Sequence, residues 1–224
     1  MLDFLFPKTD INSGDIWENI SQLTKNKLKI HDEICYICKK ESSWFDTHSH
    51  CKKKYSPEKI VTCFYYNNHI KSIILNFKYY HNYKVWEDLS KLMLHFFKMY
   101  LPIDNNVAIT YVPMHWIRKY FIKWYNQSEI LAKKLSKYTK LPLIKICDKW
   151  GNTKAQAKIN NRNERLKNLK NSFTYNKNLK LSSISKIIIV DDIITTWSTI
   201  EEMTKCIKKQ HPFLKIYWIT LARK

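Results

Sequence analysis

A mainly parallel α/β sheet flanked by helices, with a small metal-binding module ahead of it, is the architecture this sequence predicts. Three observations lead there. From residue 60 onward, β-branched and aromatic runs of strand length alternate with segments whose apolar residues recur at helical spacing. One run, IIIV at 187–190, is apolar at every position, as a strand covered on both faces of a parallel sheet must be. Before residue 60, cysteines and histidines cluster between Cys35 and Cys51.

The elements follow in order. Residues 61–66 are β-branched and aromatic and read as a strand. Ile70, Ile73, Ile74 and Phe77 recur at helical spacing, and Leu89, Leu92, Met93, Phe96 and Phe97 mark one face of a second helix. Residues 107–112 read as a buried strand ending at Pro113, and 128–138 as a helix with Ile130, Leu131 and Leu135 inward. A short strand is expected at 143–146. The polar, basic stretch 151–172 carries a helix around 162–169. The 187–190 strand, a helix at 198–210 and a last strand at 214–221 complete the pattern. Strands alternating with helices imply right-handed crossovers and parallel neighbours. The expected division is a metal-binding module with its leading segment over 1–58, and the α/β domain over 59–224. The fold of 1–34 is left open.

At 224 residues the chain can bury a full α/β core with room for one small module. No apolar run approaches the roughly 20 residues that span a bilayer. The opening MLDFLFPK is too short and too acidic for a signal peptide. A cytoplasmic protein is therefore expected, meeting the inner membrane only through partners. The formal net charge of +20 suits a polyanionic partner such as nucleic acid. The abundance of Lys, Asn, Ile and Tyr explains the same charge as compositional drift, and composition alone leaves the two open.

The segment with the most chemistry is VDDIITTWST, 190–199. An apolar strand delivers Asp191 and Asp192 to its carboxyl end, where open α/β sheets bind ligands. The following helix start offers free N–H groups and a partial positive charge to a phosphate. Thr195, Thr196, Ser198 and Thr199 add hydroxyls. Adjacent carboxylates repel in a dry core, so they are expected to face ribose hydroxyls or hydrated Mg²⁺.

This segment resembles the 5-phosphoribosyl-1-pyrophosphate (PRPP) motif of type I phosphoribosyltransferases. VPMHWIRKYFIKWYNQ, 112–127, is similar to a block of the competence-associated, ComF-type branch of that family, as are 153–173 and the terminal ITLAR. The resemblance spans roughly 35–224. It implies a type I phosphoribosyltransferase fold in which Asp191 and Asp192 are the catalytic acids at the ribose, and residues 195–199, Trp197 included, cradle the 5-phosphate. It places Arg118, Lys123, Asn126, Gln127 and Arg165 around the pyrophosphate, with Mg²⁺ bound alongside. Arg118, Lys123, Arg162 and Arg165 also read as solvated charges. The resemblance further implies a link to competence and DNA uptake, with single-stranded DNA and the competence machinery as partners. Transferase activity and a non-catalytic DNA-binding or regulatory role both fit. The residues name no acceptor.

Cys35-x2-Cys38 and His48-x2-Cys51 form two short pairs of zinc-ligand spacing. His50 is an alternative fourth ligand, but His48 matches the spacing. A complete four-ligand set predicts a structural zinc site. Members of the resembled family carry a zinc module here. Cys63, Cys147 and Cys206 lie in apolar contexts and read as core residues.

The chain has 2 Gly and 8 Trp, where average usage predicts roughly fifteen Gly. Trp197 and Trp124 stand where the family pattern has Gly, and Trp44 and Trp218 look similar. A phosphate loop uses Gly so that backbone N–H groups approach the ligand without a Cβ. A UGA codon decoded as Gly in the cell, but written as Trp, would lose Gly and gain Trp together. The other reading is a degenerate, inactive PRPP loop.

Overall fold

The computed structural model describes residues 25–79, 83–114, 125–149, 172–179 and 181–224. In these the chain runs β1 (Lys59–Tyr65), α1 (Asn68–Tyr79), α2 (Tyr83–Tyr100), β2 (Val107–Tyr111), α3 (Gln127–Thr139), β3 (Cys147–Lys149), β4 (Phe173–Tyr175), β5 (Lys186–Ile194), α4 (Trp197–Gln210) and β6 (Lys215–Arg223). Strands β1, β6, β5 and β2 lie in that order in one sheet, every neighbouring pair parallel. The short β3 and β4 pair antiparallel beside it.

Burial explains the layers. Successive strand residues point to opposite faces. Ile188 and Val190 of β5, with Val61, Ile109 and Ile219 from its sheet, pack against Leu89 of α2 and Leu131 of α3. Ile187 and Ile189 face the other way, with Ile216 and Trp218, onto Ile200, Met203 and Ile207 of α4. Both faces of β5 are therefore dry over residues 187–190, which is why that run is unbroken Ile and Val.

Two expectations need correction. Residues 143–146 form no strand beyond a bridge between Leu143 and Ile109; pairing begins at Cys147, where Phe173–Tyr175 supplies a partner that sequence reading did not anticipate. The central strand does not stop at Val190 either. Asp191 stays in register with Thr220, and Ile193 with Ala222. The acids thus sit on the strand, not in the loop after it. The expected helix at 162–169 lies outside the described residues, as do Arg118, Lys123, Trp124 and Arg165.

Among the described residues no helix is long and apolar enough to cross a membrane. The stretch before β1 is tied to the sheet: His31 N donates to Cys63 O at 3.1 Å, and Glu58 N to Ile216 O at 2.7 Å.

Candidate functional site

The chain leaves the carboxyl ends of β2 and β5 toward opposite faces. The helix after β2, α3, joins the α2 layer, whereas α4 after β5 packs on the other side. Such a divergence opens a crevice at the strand ends, the usual ligand position in open α/β sheets. Asp191 and Asp192 stand at its rim.

Hydrogen bonds hold that rim together. Val112 N donates to Val190 O at 3.1 Å, joining the two strand ends. Asn126 caps α3 by accepting from Ser128 N at 3.2 Å, while its own amide donates to Val112 O at 2.9 Å. Both ends of this side chain are engaged, so Asn126 acts by positioning. Ser128 Oγ donates to Asp191 Oδ1 at 2.8 Å, which also accepts from Asp192 N at 3.0 Å. Asp192 Oδ1 accepts from Ile193 N at 2.8 Å, and its carbonyl accepts from Thr220 Oγ1 at 3.0 Å. Gln127 is buried, and its Nε2 has no partner among the described residues. A buried donor left unpaired is costly.

Electrostatics move the Asp191 carboxyl away from its ordinary range. Burial, then the Asp192 charge, push the Asp191 carboxyl up to about 7, against the hydrogen bonds from Ser128 and the Asp192 backbone. Two carboxylates held this close resist ionising together.

The phosphate loop is shorter than expected. Only Thr195 and Thr196 separate β5 from α4; Trp197, Ser198 and Thr199 form the first turn of the helix. Thr196 is the N-cap residue in extended conformation, but its hydroxyl makes no capping bond and lies 2.8 Å from Ser198 Oγ. The Trp197 indole fills the approach. Tyr36 meets it at 5.2 Å between ring centroids, Lys39 Nζ lies 3.5 Å from its centroid, and Arg223 Cζ 4.4 Å. Two cations therefore converge at the loop on an aromatic ring. Ser128, Tyr36 and Lys39 carry no signal in the sequence, and Arg223 is known there only as the end of the ITLAR segment. No local spacing marks them, because only the topology brings them to the loop.

Beside this loop lies the metal-type cluster. Donor atoms of Cys35, Cys38, His48 and Cys51 all lie within 4.8 Å of one another. Cys38 Sγ is 3.3 Å from His48 Nδ1. A zinc tetrahedron with Zn–S of about 2.3 Å and Zn–N of about 2.0–2.1 Å has edges of about 3.5–3.8 Å, so the set fits. His50 is outside the cluster and stacks on His48. Each x2 pair closes one turn. Lys39 N donates to Cys35 O at 2.9 Å with Lys39 at φ 64°, and Cys51 N donates to His48 O at 2.9 Å. Burial opposes ionisation of Cys35, yet N–H groups of Cys38, His48 and Ile37 aimed at its sulfur bring the thiol below its ordinary value. That favours the thiolate a metal needs.

The suspect tryptophans separate. Trp44 has φ 61° and is 55% exposed, a left-handed position that glycine favours. Trp218 is wholly buried and its Nε1 donates to Thr204 Oγ1 at 3.0 Å. That seat is built for an indole, so position 218 does not fit the glycine reading. A cavity of about 550 Å³ lies elsewhere, between Leu28 and α2; its lining is mostly apolar, which does not suit phosphate.

The chain is 27% identical over 187 residues to Competence protein F of Haemophilus influenzae, covering 78% of each. No protein-family model matches the chain.

Proposed function

We propose that this chain is a competence-linked, ComF-type protein that binds PRPP in the crevice between β2 and β5, in the manner of type I phosphoribosyltransferases. The observation that carries the reading is the Asp191–Asp192 pair at that crevice, held by Ser128 of α3 and followed directly by the hydroxyl-rich start of α4. Ribose hydroxyls would donate to the carboxylates, and the 5-phosphate would meet the N–H groups of the first turn of α4. Mg²⁺, arriving with the pyrophosphate, would lower the repulsion between adjacent acids. Transfer would break the bond from the ribose C1 to pyrophosphate and join C1 to an acceptor. Catalysis then rests on positioning and on stabilising the departing charge, and no strong general base is required. Arg118 and Arg165 are assigned to the pyrophosphate side on the resemblance alone.

Zinc on Cys35, Cys38, His48 and Cys51 would be structural, since four protein donors leave no open position. Bound there, it would hold the turn from which Tyr36 and Lys39 reach Trp197. Trp197 decides the activity: its indole stands where a phosphate needs open backbone, so binding is expected when this residue, and Trp124, are glycine.

Titration calorimetry with PRPP and Mg²⁺ on the Trp124→Gly/Trp197→Gly chain tests the reading. Saturable binding lost in Asp191→Asn supports it; no heat from a folded protein removes it. A second reading, single-stranded DNA binding, is favoured by the net charge of +20. Its test is a gel shift, with affinity falling steeply as salt rises.

A further inference from the structure

Cys147 and Cys206, read from sequence as inert core residues, meet across two elements. Cys147 on β3 places its Sγ 3.8 Å from the Sγ of Cys206 on α4. Their surroundings differ. Cys147 is sealed in the core beside Phe173, whereas Cys206 is half-buried and opens onto a cavity of about 340 Å³. Lys177, Lys205 and Lys209 line that cavity with Glu202, and Lys205 pairs with Glu202 at 3.4 Å. One sulfur is thus reachable among cations, and the other waits behind it.

We propose that Cys206 and Cys147 form a peroxide-reactive thiol pair, in which Cys206 attacks and Cys147 resolves. The cationic cavity admits a small oxidant, hydrogen peroxide. The Cys206 thiolate attacks one peroxide oxygen, the O–O bond breaks, and hydroxide leaves to take a proton from solvent. Cys206 is then a sulfenic acid. The Cys147 sulfur attacks the Cys206 sulfur, the S–O bond breaks, and hydroxide departs as water with the Cys147 proton. Two thiols are oxidised and one peroxide is reduced to two waters. The sulfurs must close to about 2.05 Å, a movement within reach of side-chain rotation. The protonation states agree: a hydrogen bond from Cys147, opposed by burial and helped by Lys209, lowers the Cys206 thiol, while the same contact and burial keep Cys147 protonated. The bond would pin the β3–β4 pair to α4, the helix that starts at Trp197.

The zinc-loaded chain should be treated with limiting peroxide, digested without reductant and mapped by mass spectrometry. A Cys147–Cys206 linked peptide that disappears on reduction is expected. In Cys147→Ser, dimedone should trap a sulfenic acid on Cys206. In Cys206→Ser, Cys147 should stay reduced. In the unmodified protein, brief iodoacetamide labelling should mark Cys206 well before Cys63, which is fully buried. Absence of the linked peptide, or equal labelling of Cys206 and Cys63, overturns the proposal even if a single variant fails to fold.

Discussion

Asp191 is the residue on which the account turns, and its environment sets a pH signature. Burial and the Asp192 charge raise its folded pKa to about 7, above the unfolded value. The folded state is therefore favoured while the carboxyl is protonated, and stability falls as pH rises from about 4 through about 7. Asp191→Asn removes that loss and can still accept from Ser128. Without PRPP or Mg²⁺ it should be more stable than the parent by about 2–4 kcal/mol near pH 8, with the gain vanishing near pH 4. Denaturant melts at the two pH values check this; a pH-independent difference would contradict it. The tryptophans give a second contrast. Trp218→Gly empties a sealed site and severs the bond to Thr204, and should cost about 4 kcal/mol or more. Trp44→Gly relieves a left-handed backbone worth about 1–2 kcal/mol and gives up edge packing on Tyr100 and a distant contact with the Lys59 ammonium, so its melting point should hold or rise. Equal losses at both positions would remove the distinction.

At the scale of elements, the Cys/His turns and the start of α4 form one neighbourhood, through Tyr36 and Lys39 on Trp197. The chain should bind zinc one-to-one. His48→Ala should release it and lower the melting point, and His50→Ala should not; a zinc assay with a colorimetric chelator and a melt decide, and the reverse pattern would exchange the ligands. Much of this scale was legible in the sequence. Periodicity located α1, α2, α3 and α4 because each buries one stripe, and β5 because both its faces are dry. Paired x2 spacing found all four donors, since each pair needs only one turn of chain. What stayed hidden is what topology alone creates. The Ser128–Asp191 bond joins residues 63 positions apart, and the β3–β4 pair is too short to show a period. The extension of β5 through the acids was missed because charged residues read as loop, yet pairing with β6 continues beneath them.

For the molecule as a whole, four parallel strands among the described residues carry helices on both faces, and the proposed ligand crevice lies at the divergence of β2 and β5, with the metal-type cluster alongside. That arrangement unites the acidic pair, the α4 N-terminus and the zinc-type turns in one account of PRPP binding. The most direct measurement is calorimetric titration of the Trp124→Gly/Trp197→Gly chain with PRPP and Mg²⁺, beside the chain as written. The account predicts saturable binding in the former, at least tenfold weaker binding in the latter, and loss in Asp191→Asn. No binding by the folded double variant, or equal binding by both chains, would contradict it.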